Sequence, residues 1–529
     1  MRKVIGCVFL LCALAALLAQ PSAQTYRSPL DRSEQPYALY VPKLLDRGRK
    51  YPLVIGLHEE DSNHAMMLRH LFGIAPRFGE TGLQALTAFP PMHDVDCIVA
   101  CPFGRGTMGY QGIAEQDVYD VISEVKRRYP IDDDRVYLTG ASMGGGGALW
   151  IALQRPDVWA AVAPVCAATI PGSEELAANA LNFPVRLFQG ELDPMVPAES
   201  SRQWQRRLLE AGVAADYIEF PGVRHNAWDA AYRGGSIFEW FSKFKRERDP
   251  NHVHFSARAA RNNSAWWVRL DAIAPGELGT VDAVRNGAGV KVQTRNVDAF
   301  TLLTTARSIT IDEATVRLRP GGANLSFAKS GGKWSQVPAA AIAPLRGSIV
   351  EAVNGRHIYV YGAGDEQSKR YAERAAAWSN ARVHINLTLP VKSDDQVTDD
   401  DLASSNLVLF GHAQSNKLIA KFAPQLPVSL NPGAADYGLL FVTTVSGHFV
   451  LVSSGLPWWT RAEDANRSGG YRFAPEQYRL LSTFGDYILF KGGLGNALAE
   501  GYFDRAGKVP ADAQAKLDAS GTVKVPAAQ

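Results

Sequence analysis

Three side chains, far apart along the chain, could together perform nucleophilic catalysis: Ser142, Asp193 and His225. A serine hydroxyl is a weak nucleophile until a base takes its proton. An imidazole can be that base near neutral pH, and a carboxylate behind it orients the ring and stabilises its charged form. Ser142 sits in Gly140-Ala141-Ser142-Met143-Gly144, the only G-x-S-x-G of the chain. Small neighbours suit a sharp turn that lifts the hydroxyl clear, at the amino end of a helix whose dipole favours developing negative charge. Asp193 lies in Gln189-Gly190-Glu191-Leu192-Asp193-Pro194 and His225 in Pro221-Gly222-Val223-Arg224-His225-Asn226. Two rival acids are less well placed. Glu191 comes two residues early for the loop tip, and Asp229 falls in an expected helix after the histidine.

These residues need a frame. Short apolar runs at 52–58, 97–102, 136–139, 160–165, 185–188 and 217–220 read as strands. Helical spacing marks 118–129 and 148–153, and 131–135 reads as a polar turn. Runs this short suit strands covered on both faces of a parallel sheet. Ligands bind at the carboxyl ends of such strands. The loops after His58, Pro102, Thr139, Val165, Gln189 and Pro221 should therefore share one rim. The order serine, aspartate, histidine is that of α/β-hydrolases. An oxyanion hole should draw one donor from the backbone N–H of Met143 and a second from Glu59, in the loop after His58. Many hydrolases carry glycines there. This chain has Glu59, Glu60 and Asp61, whose carboxylates would oppose the developing charge unless they face solvent.

Further segments add to the triad: Glu115-Gln116-Asp117, Ile131-Asp132-Asp133-Asp134-Arg135-Val136-Tyr137-Leu138-Thr139-Gly140, Ser142-Met143-Gly144-Gly145-Gly146-Gly147 and Gly190-Glu191-Leu192-Asp193-Pro194-Met195-Val196-Pro197. With these and the histidine loop, residues 24 to about 247 resemble the secreted α/β-hydrolase esterases related to polyhydroxybutyrate depolymerases and feruloyl esterases. They are also similar to the catalytic domain of prolyl oligopeptidase-type serine hydrolases. The resemblance implies the fold and the triad Ser142, Asp193 and His225, and says much less about substrate. The sequence departs from the group at His58-Glu59-Glu60, where His-Gly is usual.

Two lengths narrow the class. Only about eighteen residues separate Val165 from Pro184, where a lipase would insert a cap. The site should be open, which suits a bulky or polymeric ester. A seven-bladed propeller needs roughly 280 residues, and no such repeat is present. The expected function is a secreted serine hydrolase cleaving carboxylic esters through an acyl-enzyme. The alternatives are a serine peptidase of the prolyl oligopeptidase type without a propeller, and a non-catalytic binding protein with a decayed site. No cofactor or metal is expected.

The chain has 529 residues, 46% hydrophobic and 20% charged, in the usual range for a folded protein. Lys plus Arg number 55 and Asp plus Glu 53, so no overall basic excess exists to hold nucleic acid. Arg2 and Lys3, an apolar run from Val4 to Ala19 and small residues through Ala23 read as a signal peptide over 1–23, for a secreted or periplasmic protein. No later stretch is long and apolar enough to span a bilayer. Of the cysteines past that segment, Cys97 and Cys101 lie in one expected strand, with Cα atoms about 13 Å apart, too far for a disulfide. These two and Cys166 read as buried hydrophobes.

Past a charged linker, residues 252–337 alternate apolar with polar between Gly and Asn turns, as in a small β-sandwich. His252 and His254 lack a third partner and read as surface strand residues; Trp266 and Trp267 should point to opposite faces of a strand. Residues 347–500 return to alternating strands and helices, for a second three-layer α/β domain. Gly362-Ala363-Gly364 lacks the further residues of a phosphate loop. The Ala-, Lys- and Pro-rich residues 501–529 read as a flexible tail. The expected architecture is thus an α/β-hydrolase domain (24–247) with a mostly parallel sheet, a β-sandwich and a C-terminal α/β domain.

Overall fold

The short apolar runs pair into one eight-stranded sheet; those from 52 to 188 are covered on both faces, and the run at 217–220 forms a half-buried edge strand. The computed structural model describes residues 21–75, 79–80, 89–259, 261–319, 322–343, 346–379, 385–465, 467 and 471–526. The expected signal peptide lies outside them, apart from its last three residues. Of these, Ser22 and Ala23 already belong to a strand, paired with Leu39 and Ala38.

The chain forms two compact units, residues 1–28 with 34–250 and residues 29–33 with 251–529. The strands of the first are β1 (Ser22–Arg27), β2 (Glu34–Tyr40), β3 (Tyr51–Leu57), β4 (Ile98–Pro102), β5 (Ile131–Ala141), β6 (Ala161–Val165), β7 (Val185–Gly190) and β8 (Ala215–Phe220). Their order is β1-β2-β4-β3-β5-β6-β7-β8. The pairs β1–β2 and β2–β4 are antiparallel and the rest parallel. Helices α1 (His64–Leu71), α2 (Ile113–Arg128), α3 (Met143–Gln154) and α4 (Ala198–Glu210) connect them. Met67, Leu68 and Leu71 of α1 share a core with Val54, Val99, Tyr137 and Phe188.

Strand order decides the site. From β3 the chain crosses to β4 on one side and then to β5 on the other. The loop after β3 therefore lies beside the turn after β5, a switch point of the kind where open sheets bind ligands. The expected polar turn at 131–135 is instead an irregular start of β5. Ile131 pairs with Tyr51 and Val136 with Leu53, and the acidic residues between bulge out. Asp132 holds this excursion by accepting from Arg135 Nε at 2.7 Å and the Asp134 N–H at 3.1 Å.

The second unit contains both later folds, which the sequence read as separate bodies. Two five-stranded sheets enclose a core that includes Val253, Phe255, Val281, Phe300 and Phe327. His252 and His254 do have a third partner. Asp282, on the adjacent strand, accepts from His252 Nε2 at 2.6 Å and His254 Nδ1 at 3.3 Å, and these bonds hold its carboxyl below the usual range. Trp266 and Trp267 are not within a strand. They form the turn between the strands Ser264–Ala265 and Val268–Ile273, with Trp266 at φ 49° and Trp267 buried.

The seven-stranded sheet that follows alternates strictly. Ile358, Val360, Leu407 and Leu409 face one core, while Tyr359 and Phe410 face Trp378 and Trp458 on the other side. Two covered faces make three layers. The apolar residues 383–387 read in the sequence as one more strand; 383–384 lie outside the described residues, and 385–387 form no strand, Ile385 making only an isolated bridge. Residues 501–529 were expected to be loose, but a helix, Ala511–Ala519, buries Ala513 and Leu517 in the core, and Val523 pairs with Leu430. Alternating Ala with polar residues hid that apolar face. Leu517 is fully buried, so Leu517→Ala should destabilise the second unit by about 2–5 kcal/mol. A urea titration unchanged by that substitution would contradict this packing.

Candidate active site

The turn after β5 is strained in the way a nucleophile elbow requires. Ser142 has φ 51° and ψ −112°, which L-residues rarely adopt. Surrounding contacts hold it there: Ser142 N–H donates to Val165 O at 2.9 Å, and Ser142 O accepts from Ala168 N–H at 3.0 Å. A Cβ on Gly140 would come within 2.2 Å of Gly144 O, and one on Gly144 within 2.1 Å of Leu57 O. The glycines of the motif thus let α3 approach β5 and the end of β3 closely. Gly144→Ala should lower stability by about 1–3 kcal/mol and displace the elbow. The expected readout is a fall in Tm together with slower labelling of Ser142 by a fluorophosphonate; unchanged values would refute the steric account.

The three sequence-predicted residues converge. Ser142 Oγ is 2.9 Å from His225 Nε2, and His225 Nδ1 is 2.8 Å from Asp193 Oδ2. Since a carboxylate only accepts, Nδ1 carries the proton and Nε2 offers its lone pair to the hydroxyl. Asp193 is itself fixed. Oδ1 accepts from the N–H groups of Met195 (2.8 Å) and Val196 (2.9 Å), and Oδ2 also accepts from Gln189 Nε2 (3.1 Å). Ser201 Oγ holds Gln189 in turn, at 2.8 Å. The Asp193 side chain is fully buried, while His225 is 23% exposed, so the site opens at the base. Gly190 lets the aspartate and histidine loops touch, since a Cβ there would lie 2.1 Å from Arg224 O. The rival acids are engaged elsewhere: Glu191 accepts from the Gly222 N–H and Asp229 from Asn226 Nδ2, both at 2.8 Å.

The loop after β3 reaches the elbow, as its contact with Gly144 requires. Glu60 and Asp61 face water, but Glu59 turns inward, with 14% of its side chain exposed. Burial opposes its ionisation. The hydrogen bond and charge of His70 outweigh that and hold its carboxyl below the ordinary range.

Sequence reading missed two neighbours of the triad. Cys166 follows β6, and its Sγ donates to His225 O at 3.2 Å. Burial, then the charge of Asp193, pushes its thiol up to about 12. It is therefore a protonated donor that steadies the histidine loop. The donor atoms of Cys166, Asp193 and His225 lie within 4.8 Å of one another, the one such group among the described residues. The imidazole lone pair is already directed at Ser142, so the cluster is spoken for by the relay. Trp228 is the second neighbour, its ring edge-on to His225 with centroids 5.5 Å apart. Its position one turn past the histidine was the available signal.

Residues 93–266 match the family model described as the dienelactone hydrolase family. Cutinase 2 of Thermobifida cellulosilytica is 27% identical over 147 residues, 27% of this chain and 53% of that protein. Cutinase cut1 of Thermobifida fusca is 27% identical over 147 residues, 27% of this chain and 44% of that protein. The chain spans about half the length of the curated relatives it matches. Among solved structures, a thermostable esterase is 26% identical, with a TM-score of 0.35, covering 43% of this chain and 64% of its own. A ferulic acid esterase from Anaeromyces mucronatus is 19% identical, with a TM-score of 0.33, covering 42% and 90%. With the sheet order, the elbow and this match in view, the chain carries a dienelactone hydrolase-family domain built on the α/β-hydrolase fold.

Proposed function

We propose that this protein is a serine hydrolase that cleaves carboxylic esters through an acyl-enzyme. The observation that carries this reading is the unbroken relay from Ser142 Oγ through His225 to Asp193. His225 Nε2 takes the hydroxyl proton as Oγ attacks the ester carbonyl. The N–H groups of Met143 and Glu59 receive the oxyanion. On collapse the ester C–O bond breaks, and His225 returns the proton to the departing alcohol. Water, deprotonated by the same histidine, then attacks the acyl-enzyme, and the acid leaves with Ser142 restored.

The segment between β6 and β7 supports an open site for a bulky or polymeric ester. It is short, and its 3-10 helix, Ser173–Asn182, packs on α3. The cutinase names among the relatives agree with a polyester-like substrate. The charged start and apolar run of residues 2–19 support export to the periplasm or beyond; no helix among the described residues is long and apolar enough to cross a membrane. A fluorophosphonate probe should label Ser142 in the folded chain. p-Nitrophenyl butyrate or a feruloyl ester should be turned over faster than a chromogenic peptide. Folded protein that neither reacts with the probe nor hydrolyses any ester would sink this reading.

A further inference from the structure

An inward-facing glutamate beside an oxyanion hole poses an electrostatic problem. A carboxylate within a few ångströms of a developing oxyanion raises the barrier, the more so where water is excluded. Here the backbone of the same residue must supply the second oxyanion donor. The two roles are compatible only if the side chain is held away from the site while the peptide stays in place.

The structure contains groups that do both. His58, itself buried, places Nδ1 2.7 Å from Glu59 O and Nε2 2.9 Å from Phe103 O. Its own N–H donates to Tyr110 Oη at 2.9 Å. The peptide carbonyl of Glu59 is thus anchored. The side chain has a separate anchor: Glu59 Oε1 lies 3.3 Å from Nε2 of His70, in the last turn of α1. Glu59 Oε2 is buried with no hydrogen-bond partner among the described residues, and apart from the backbone of Glu59 itself His70 is the one hydrogen-bonding group that holds this carboxylate. The His70 ring packs on Trp228, with centroids 5.9 Å apart, and Trp228 packs on His225.

We infer that His70 is a positioning residue for the oxyanion hole: it binds the Glu59 carboxylate so that the Glu59 N–H, and not its charge, faces the substrate oxyanion. This inference rests on the proposed hydrolase reading. A histidine–glutamate pair here takes over what a residue without a side chain achieves by having no charge to hold.

The test uses the full-length chain with p-nitrophenyl butyrate and a phenylboronic acid, whose tetrahedral serine adduct places a hydroxyl in the oxyanion hole. His70→Leu should lower kcat by about 10- to 100-fold, within the range for a damaged oxyanion hole, with KM within about threefold. Boronate affinity should fall by a similar factor. Loss of packing on Trp228 could also slow the enzyme, so rescue decides between the causes. Adding Glu59→Gly to His70→Leu removes the freed carboxylate and should restore kcat to the level of Glu59→Gly alone. A His70→Leu variant with unchanged kcat would overturn the inference, as would a double variant no faster than His70→Leu. Ester hydrolysis that survives Ser142→Ala would instead overturn the hydrolase reading on which it rests.

Discussion

Replacing Ser142 with alanine should reduce kcat for p-nitrophenyl butyrate by about 10⁴- to 10⁶-fold, the range seen when a triad nucleophile is removed. Tm should stay within a few degrees. The substitution deletes one hydroxyl and one hydrogen bond, to His225 Nε2. It leaves intact the backbone bonds that hold the elbow, from Ser142 N–H to Val165 O and from the Ala168 N–H to Ser142 O. Alanine tolerates the positive φ no better and no worse than serine, so the strain is unchanged. Fluorophosphonate labelling should disappear with the activity. Retention of more than about a hundredth of wild-type kcat would mean that another residue attacks the ester.

Asp193→Asn should lower kcat by about 10⁴-fold through the wrong imidazole tautomer. Asparagine can keep Oδ1 on the N–H groups of Met195 and Val196, so the loop retains its shape. Its amide group then faces His225 Nδ1 and donates where the carboxylate accepted. The ring proton is driven to Nε2, which can no longer receive the proton of Ser142. The same amide meets the Nε2 of Gln189, now a donor facing a donor. That mismatch should cost about 1–3 kcal/mol of stability, visible as a lowered Tm. The split is diagnostic: a modest loss of stability beside a large loss of kcat. An Asp193→Asn enzyme within tenfold of wild type would point to a different acid, yet Glu191 and Asp229 are already bonded to Gly222 and Asn226.

Much of this site is legible in the amino-acid sequence. The elbow is a local device, because a strand, a strained turn and a helix succeed one another between Ile131 and Gln154, and the glycines that the turn needs must sit at fixed offsets. The loops of Asp193 and His225 follow recognisable apolar runs, and parallel strands place such loops on one rim. Elsewhere local pattern misled. Trp266 and Trp267 have strand-like side chains but sit in a two-residue turn, since the pairing of Ala265 with Val268 fixes where the chain reverses. The last residues look loose in composition, yet Leu517 and Val523 complete a core assembled mainly from residues far upstream.

The amino-acid sequence by itself determined where the candidate triad of Ser142, Asp193 and His225 lies and the sheet that carries it, because each is encoded in short-range pattern and chain order. Only the tertiary structure decided which way Glu59 points, that His70 holds it, that Cys166 braces the histidine loop and that Asp282 joins His252 and His254. Those pairings cross between elements from 11 to 59 residues apart. Packing sets which side chains meet at such separations, and no local periodicity records it.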